Sequence, residues 1–250
     1  MLLTPIWNPE KGKMRVAGLV SGSGKSLVTI IEEQARMEAE GSAPYEVVGL
    51  FSDNPKSKAE EIGKQYSIPV FTNDIRSFYK SRGKKITDRR VREEFDREAV
   101  EALKSIKTDV LAYAGYVWAT TAPLVNAFLG INGHPADLSI MEGGRRKFAG
   151  AQGVRDALLA GETALASTVH IVTTEVDGGP ILMISEPVQV EKHEGLSLED
   201  MSRHYLRLLN EKTRALFPRV IKDLAQGTFK RDEKGGLYYG ETPIPKGYRL

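Results

Sequence analysis

Asn132, His134 and Asp177 are the side chains in this chain whose types and spacing could do chemistry together. Asn132 and His134 lie in Asn132-Gly133-His134-Pro135, and Asp177 lies in Val176-Asp177-Gly178-Gly179-Pro180. Each fragment sits at the end of a β-branched, strand-like run. On an extended backbone, residues two apart point to the same side, so Asn132 and His134 face one way. Asp177 joins them only if the two strand ends meet in space. An amide, an imidazole and a carboxylate facing one point suit acyl transfer. The amide and imidazole can steady a developing oxyanion, and the carboxylate can orient the histidine and move protons.

Each residue also has a plainer reading. A histidine after a strand can be a hydrogen-bonded structural residue, but the paired fragments favour catalysis for His134. Asp177 ahead of two glycines can cap a turn. His170 lies inside a strand-like run and is expected to be packed or hydrogen-bonded, while His193 and His204 are expected at the surface.

A second feature is Ser21-Gly22-Ser23-Gly24-Lys25-Ser26, which follows the apolar run Arg15 to Val20. It falls short of the nucleotide phosphate loop G-x-x-x-x-G-K-[ST], because the first glycine would have to stand where Leu19 does. The physical content survives. A glycine-rich turn opening a helix presents backbone N–H groups and a positive dipole end to an anion, and Lys25 and the Ser26 hydroxyl add to it. The plainer alternative is a tight strand-to-helix turn with glycines present for steric reasons.

The elements that must position these residues alternate along the chain. Strands are expected at residues 15–20, 45–51, 68–71 and 110–114, with another starting at Ile131. Helices are expected from Ser26 and over 57–66, 90–106 and 122–128. Val91, Phe95, Ala99, Leu103 and Ile106 give the 90–106 segment an apolar stripe at helical spacing. Beyond it, residues 140–147 (IMEGGRRK) read as a mobile, solvated Gly/Arg loop, or more sharply as a lid that recruits an anion. A helix is expected over 153–160, strands over 166–174 and 181–190, and a long helix over 198–224 interrupted near Pro218. Residues 229–239 suggest a small hairpin. The alternation predicts an α/β fold, Rossmann-like, with a mostly parallel twisted sheet of about seven strands and helices on both faces. The organisation expected is a short N-terminal arm (1–13) and one domain (14–250).

Composition narrows the partners. The chain has 250 residues, 41% hydrophobic and 27% charged, enough for a full core. Its net charge of +2, from 35 basic and 33 acidic residues, gives no reason to expect nucleic acid or an anionic membrane. There is no cysteine, so thiolate catalysis, disulfides and zinc-thiolate sites are excluded and a cytoplasmic location is compatible. No apolar run approaches the roughly 20 residues of a membrane span.

Together these fragments resemble the folate-dependent formyltransferases, closest to the branch that acts on glycinamide ribonucleotide in purine synthesis. Ser21 to Leu27 is similar to that family's S-G-x-G-x-x-L phosphate loop, and Asn132-x-His134-Pro135 and Asp177-Gly178-Gly179-Pro180 to its catalytic motifs. Ser167-Thr168-Val169-His170 precedes the latter as in the family, and Pro243 to Tyr248 resembles that branch's C-terminal signature. The resemblance implies transfer of the formyl group of 10-formyltetrahydrofolate to the amine of a small phosphorylated acceptor, with no metal. It implies Asn132, His134 and Asp177 as catalytic residues, and Gly22, Ser23, Gly24, Lys25 and Ser26 around the acceptor phosphate. Folate would lie against Val117, Trp118, Ala119 and Thr120 and against Thr173, Thr174, Glu175 and Val176, with Arg92 near its glutamate end. The protein would act on these small molecules as a monomer or homodimer. Departures are Lys25-Ser26 for the usual Ser-Asn, Trp118-Ala119-Thr120 for an Arg-Ile-Leu type stretch, the longer Gly/Arg loop, and Thr213 where the family has a ribose-binding glutamate, with Glu211 nearby. Rival readings are formyl transfer to another amine (an amino sugar or nucleotide), a formyltetrahydrofolate hydrolase, which needs no acceptor loop, and a binding protein without catalysis.

Overall fold

A computed structural model describes residues 2–191 and 195–250. His193 lies outside the described residues. The chain divides into two compact units, Pro9–Asn132 and Met1–Asn8 with Gly133–Leu250.

The Pro9–Asn132 unit alternates strand and helix: β1 (Met14–Val20), α1 (Lys25–Ala39), β2 (Tyr45–Ser52), α2 (Ala59–Tyr66), β3 (Val70–Thr72), α3 (Ile75–Ser81), α4 (Arg89–Ser105), β4 (Val110–Tyr113), α5 (Ala122–Ala127) and β5 (Leu129–His134), within which the division between units falls. Its strands lie in the order β5-β4-β1-β2-β3, and every ladder among them is parallel. Successive residues Val16 and Ala17, and Leu19 and Val20, are fully buried. Neighbouring strand residues point to opposite faces, so β1 is covered on both, the signature of a parallel α/β sheet. In α4 the expected stripe forms. Phe95 meets Phe51 and Phe78 edge-on at 5.8 and 5.2 Å, and Asp88 caps the helix by accepting from the Arg90 and Val91 N–H groups. The helix α3 was not expected from the sequence; Asp74 caps it by accepting from the Arg76 N–H.

The other unit carries α6 (Gly153–Leu159), β6 (Thr168–Ile171), β7 (Ile181–Ile184), α7 (Leu198–Ala225) and β8 (Tyr248–Arg249). β6 and β7 are antiparallel, with Thr168 opposite Ile184, and β8 lies parallel to β7. Among the described residues eight main strands thus occur against about seven expected, and the α/β, mostly parallel class holds. The two long strands expected here are shorter. Val188–Gln189, from the second, pairs instead with Ala164–Leu165, which precedes the first. Thr4–Pro5 of the expected arm pairs with Phe229–Arg231, and Phe229–Arg231 with Leu237–Tyr239 forms the expected hairpin.

Two expectations are corrected. The first is α7, which runs unbroken through Pro218. Proline removes one backbone bond and crowds the preceding turn. Here Leu216, Phe217, Val220, Ile221 and Leu224 are all buried around it, so tertiary packing holds the helix across the defect. The second is the Gly/Arg loop, which is a hairpin: Met141 pairs with Arg146 and Glu142 with Arg145. Gly143 and Gly144 turn it with φ of 57° and 78°, the pair of positive angles a two-residue hairpin turn requires.

Candidate active site

β5 is extended through Asn132 and His134, and His134 is its buried last residue. The antiparallel hairpin of β6 and β7 carries Asp177 back beside His170, the strand residue seven positions earlier. The result is a carboxylate between two imidazoles. His134 Nδ1 lies 3.4 Å from Asp177 Oδ2, and His170 Nε2 lies 3.4 Å from Asp177 Oδ1. His134 Nε2 bonds the Phe148 carbonyl at 2.9 Å, and His170 Nδ1 bonds the Ile171 carbonyl at 2.9 Å. The Gly150 N–H donates to Asp177 Oδ2 at 2.8 Å.

The backbone under Asp177 is unusual. It takes φ 51°, the left-handed region, which asparagine and aspartate tolerate better than most side chains but which still costs about 1 kcal/mol or more. The two following glycines are not in that region. Their use is space: a Cβ on Gly179 would stand 1.9 Å from the Ile171 carbonyl oxygen. Arg146, from the Gly-Gly hairpin, donates to the carbonyls of Asp177 and Gly179.

Burial pushes the Asp177 carboxyl up, but the His170 hydrogen bond, the His134 ring and the Gly150 N–H outweigh it and hold the group at about 2. For His134 burial wins. Desolvation pulls the imidazole below its ordinary 6.5 against the attraction of Asp177 and the Phe148 bond, and the Arg146 charge pulls the same way as burial. The resting histidine is therefore neutral at pH 7. Stability follows from both shifts. A histidine whose folded pKa is depressed binds fewer protons folded than unfolded, so the native state loses stability as pH falls below about 6.5. The depressed Asp177 adds a further loss as pH falls from its unfolded value of about 3.9 through about 2. Urea unfolding at pH 7.5 and 5.5 is expected to give a lower midpoint at 5.5, and His134→Gln is expected to narrow that gap. An equal gap in wild type and variant would contradict the shift.

In the Pro9–Asn132 unit, Gly22 to Gly24 form the turn before α1. Gly24, at φ 60°, has no side chain to cap the helix, and no acidic residue occupies its first turn. The leading N–H groups are thus unopposed by local negative charge. The Ser23 and Lys25 side chains are exposed and Ser26 is half-buried. A buried network ties this turn to the Val117–Thr120 stretch. The Ser21 hydroxyl donates to Asp53 at 2.5 Å and accepts the Val117 N–H, while the Trp118 indole donates to Asp53 at 2.6 Å. This gives the unexpected tryptophan a partner. Val117 and Ala119 are exposed and Thr120 is buried. Arg92 is 7% exposed and lies on Tyr116 Oη at 3.0 Å and Asp96 at 2.9 Å, while its Nε and Nη1 have no partner.

Thr174, Glu175 and Val176 are exposed in the loop before Asp177, and the half-buried Thr173 donates to the Glu175 carbonyl at 3.2 Å. Glu211 is exposed on α7, 4.0 Å from Arg214 of the same helix, and is not drawn into the histidine–aspartate cluster. Thr213 is buried, with its hydroxyl committed to the Leu209 carbonyl at 2.9 Å. A Cβ on Gly133 would stand 2.3 Å from its methyl, so Thr213 packs beneath the strand that bears His134. Sequence reasoning missed His170 and Arg146 as members of the cluster. The signals for His170 were its place on a strand that doubles back at the Asp177 turn and the Ser167-Thr168-Val169-His170 segment that ends on it. Among the described residues no group of three or more His, Cys, Asp or Glu is arranged to hold a metal ion, and no helix is long and apolar enough to cross a membrane.

Residues 14–220 match the sequence profile of the family described as Formyl transferase. The chain belongs to the formyl transferase family. It is 27% identical over 237 residues to phosphoribosylglycinamide formyltransferase of Escherichia coli, covering 94% of this chain and 98% of that one. The Mycobacterium tuberculosis protein of the same name is 30% identical over 188 residues, covering 74% and 76%. The crystal structure of glycinamide ribonucleotide transformylase 1 from Symbiobacterium toebii superposes with a TM-score of 0.69 at 26% identity, over 91% of this chain and 94% of that one. The family and the formyltransferase fold expected from the motifs are therefore those found.

Proposed function

We propose that this formyl transferase passes the formyl group of 10-formyltetrahydrofolate to the amine of glycinamide ribonucleotide, as the names of its relatives suggest. The observation that supports it most is the ionised Asp177 beside the neutral, buried His134. The acceptor amine attacks the formyl carbon, a C–N bond forms, and the carbonyl oxygen becomes an oxyanion. The Asn132 amide donates to that oxyanion. A group held at about 2 is a poor proton acceptor, whereas a neutral imidazole is a good one. Nε2 keeps its proton on the Phe148 carbonyl, so Nδ1, the nitrogen facing Asp177, takes the ammonium proton and Asp177 stabilises the imidazolium. The imidazolium then steadies the oxyanion through its charge and returns the proton to the folate nitrogen as its bond to the formyl carbon breaks. The turn from Gly22 to Ser26 receives the acceptor phosphate. Folate lies along Val117 to Thr120 and Thr173 to Val176, with Arg92 at its glutamate end. The protein works as a cytoplasmic monomer or homodimer on small molecules alone.

The test is an absorbance assay of formyl loss from 10-formyl-5,8-dideazafolate with glycinamide ribonucleotide, with an amino sugar, and with no acceptor. Turnover dependent on glycinamide ribonucleotide is expected. Turnover with no acceptor identifies a hydrolase, and turnover only with another amine reassigns the phosphate turn to a different substrate.

A further inference from the structure

Segment 141–150 is built into the Asp177 cluster. The Phe148 carbonyl accepts from His134 Nε2, the Gly150 N–H donates to the Asp177 carboxylate, and Arg146 reaches the carbonyls on either side of Gly178. A guanidinium is a rigid planar fork, so binding two carbonyls at once sets the distance between them. Those carbonyls belong to the one residue of the turn that carries a side chain in the left-handed region and to the glycine pressed against Ile171. The carboxylate of that residue must sit between two imidazoles, 3.4 Å from each. Arg146 is half-buried and its fork is committed to main-chain oxygens. Arg145, its neighbour on the hairpin, is exposed.

We infer that Arg146 is a positioning residue for catalysis, locking the Asp177 backbone so that the carboxylate stays registered against His134. The inference rests on the formyl-transfer reading of the site and adds a role for a residue outside its motifs.

The experiment compares Arg146→Ala, Arg146→Lys and Arg145→Ala in the formyl-transfer assay, and follows the histidine rings by NMR titration, with His134 assigned through His134→Gln. In Arg146→Ala, kcat is expected to fall about 30- to 100-fold, the penalty of a roughly 1 Å misplacement, with each KM within about twofold. The His134 titration is expected to move to higher pH because a nearby positive charge is gone. Arg146→Lys keeps the charge and is expected to leave that titration in place. It recovers only part of kcat, because an ammonium group cannot span both carbonyls. Arg145→Ala is expected to match wild type in both readouts. Loss confined to KM, or a kcat within about threefold of wild type in Arg146→Ala, overturns the inference. So does an identical response of Arg145→Ala. If Arg146→Ala does not fold, Arg146→Lys carries the test, and full kcat in that variant overturns it. If the wild-type protein transfers formyl to no amine, it is the functional reading that fails. A crystal structure of Arg146→Ala then decides the positioning role, and an Asp177 carboxylate still held between the two imidazoles ends it.

Discussion

Asp177→Asn is expected to lower kcat by about 10³-fold while leaving the fold and both KM values nearly unchanged. The carboxylate and the His134 ring nitrogen are 3.4 Å apart and largely buried. At an effective dielectric near 20, one charge pair at that distance is worth about 5 kcal/mol, on the order of three decades of rate if the imidazolium exists only in the transition state. Asparagine keeps the shape and removes the charge. Its carbonyl oxygen can still accept the Gly150 N–H, which now meets Asp177 Oδ2 at 2.8 Å. The amide nitrogen must then face His170, which already directs Nδ1 to the Ile171 carbonyl. The cost should therefore fall on chemistry and not on binding. Steady-state kinetics with both substrates varied will separate the two. A kcat loss below about tenfold would mean that the charge of Asp177 is not felt in the transition state. His134→Gln should cost a similar factor, and the double variant should cost little more than either alone, because the two residues act as a unit.

The strands of the Pro9–Asn132 unit were legible because parallel strands buried on both faces are continuous apolar runs, as in Arg15 to Val20 and Tyr45 to Phe51. The α4 stripe was legible because its period is local. Asn132 and His134 could be paired from their spacing alone, since alternation along a strand needs no tertiary information. What stayed hidden depends on contacts distant in sequence. Nothing near Arg146 says that its fork reaches residues 177 and 179. The neutral state of His134 was not readable because it depends on burial, which a motif does not record. Pro218 looks like a helix break until the buried side chains around it are counted as support. The Gly143-Gly144 pair looked like flexibility and was a hairpin turn, a local signal whose flanking residues are too polar to resemble strands.

Two neighbouring glycines should behave very differently when each is replaced by alanine. Gly179→Ala is expected to destabilise the protein by about 4 kcal/mol or more, near the limit for a single substitution. The new methyl would stand 1.9 Å from the Ile171 carbonyl oxygen and 3.0 Å from the Thr173 methyl. That carbonyl is main chain and cannot rotate away. It also accepts from His170 Nδ1, and the Ile171 N–H is bonded to the Pro180 carbonyl at 2.9 Å, so both partners are anchored to one another. Moving the turn to make room would pull the Gly179 carbonyl off Arg146 and carry Asp177 away from the histidines. Whatever folded fraction remains should be inactive. For Gly178→Ala the nearest atoms are Cγ and the carboxylate of Glu175, at 2.5 Å. They belong to an exposed, flexible side chain that can swing into solvent, so the cost should stay within about 1 kcal/mol. Urea midpoints for the two variants, with kcat measured on each, test the difference. Equal midpoints would show that the second glycine is there for backbone freedom, as glycines in turns usually are, and that the close packing under Asp177 is not what holds the carboxylate in place.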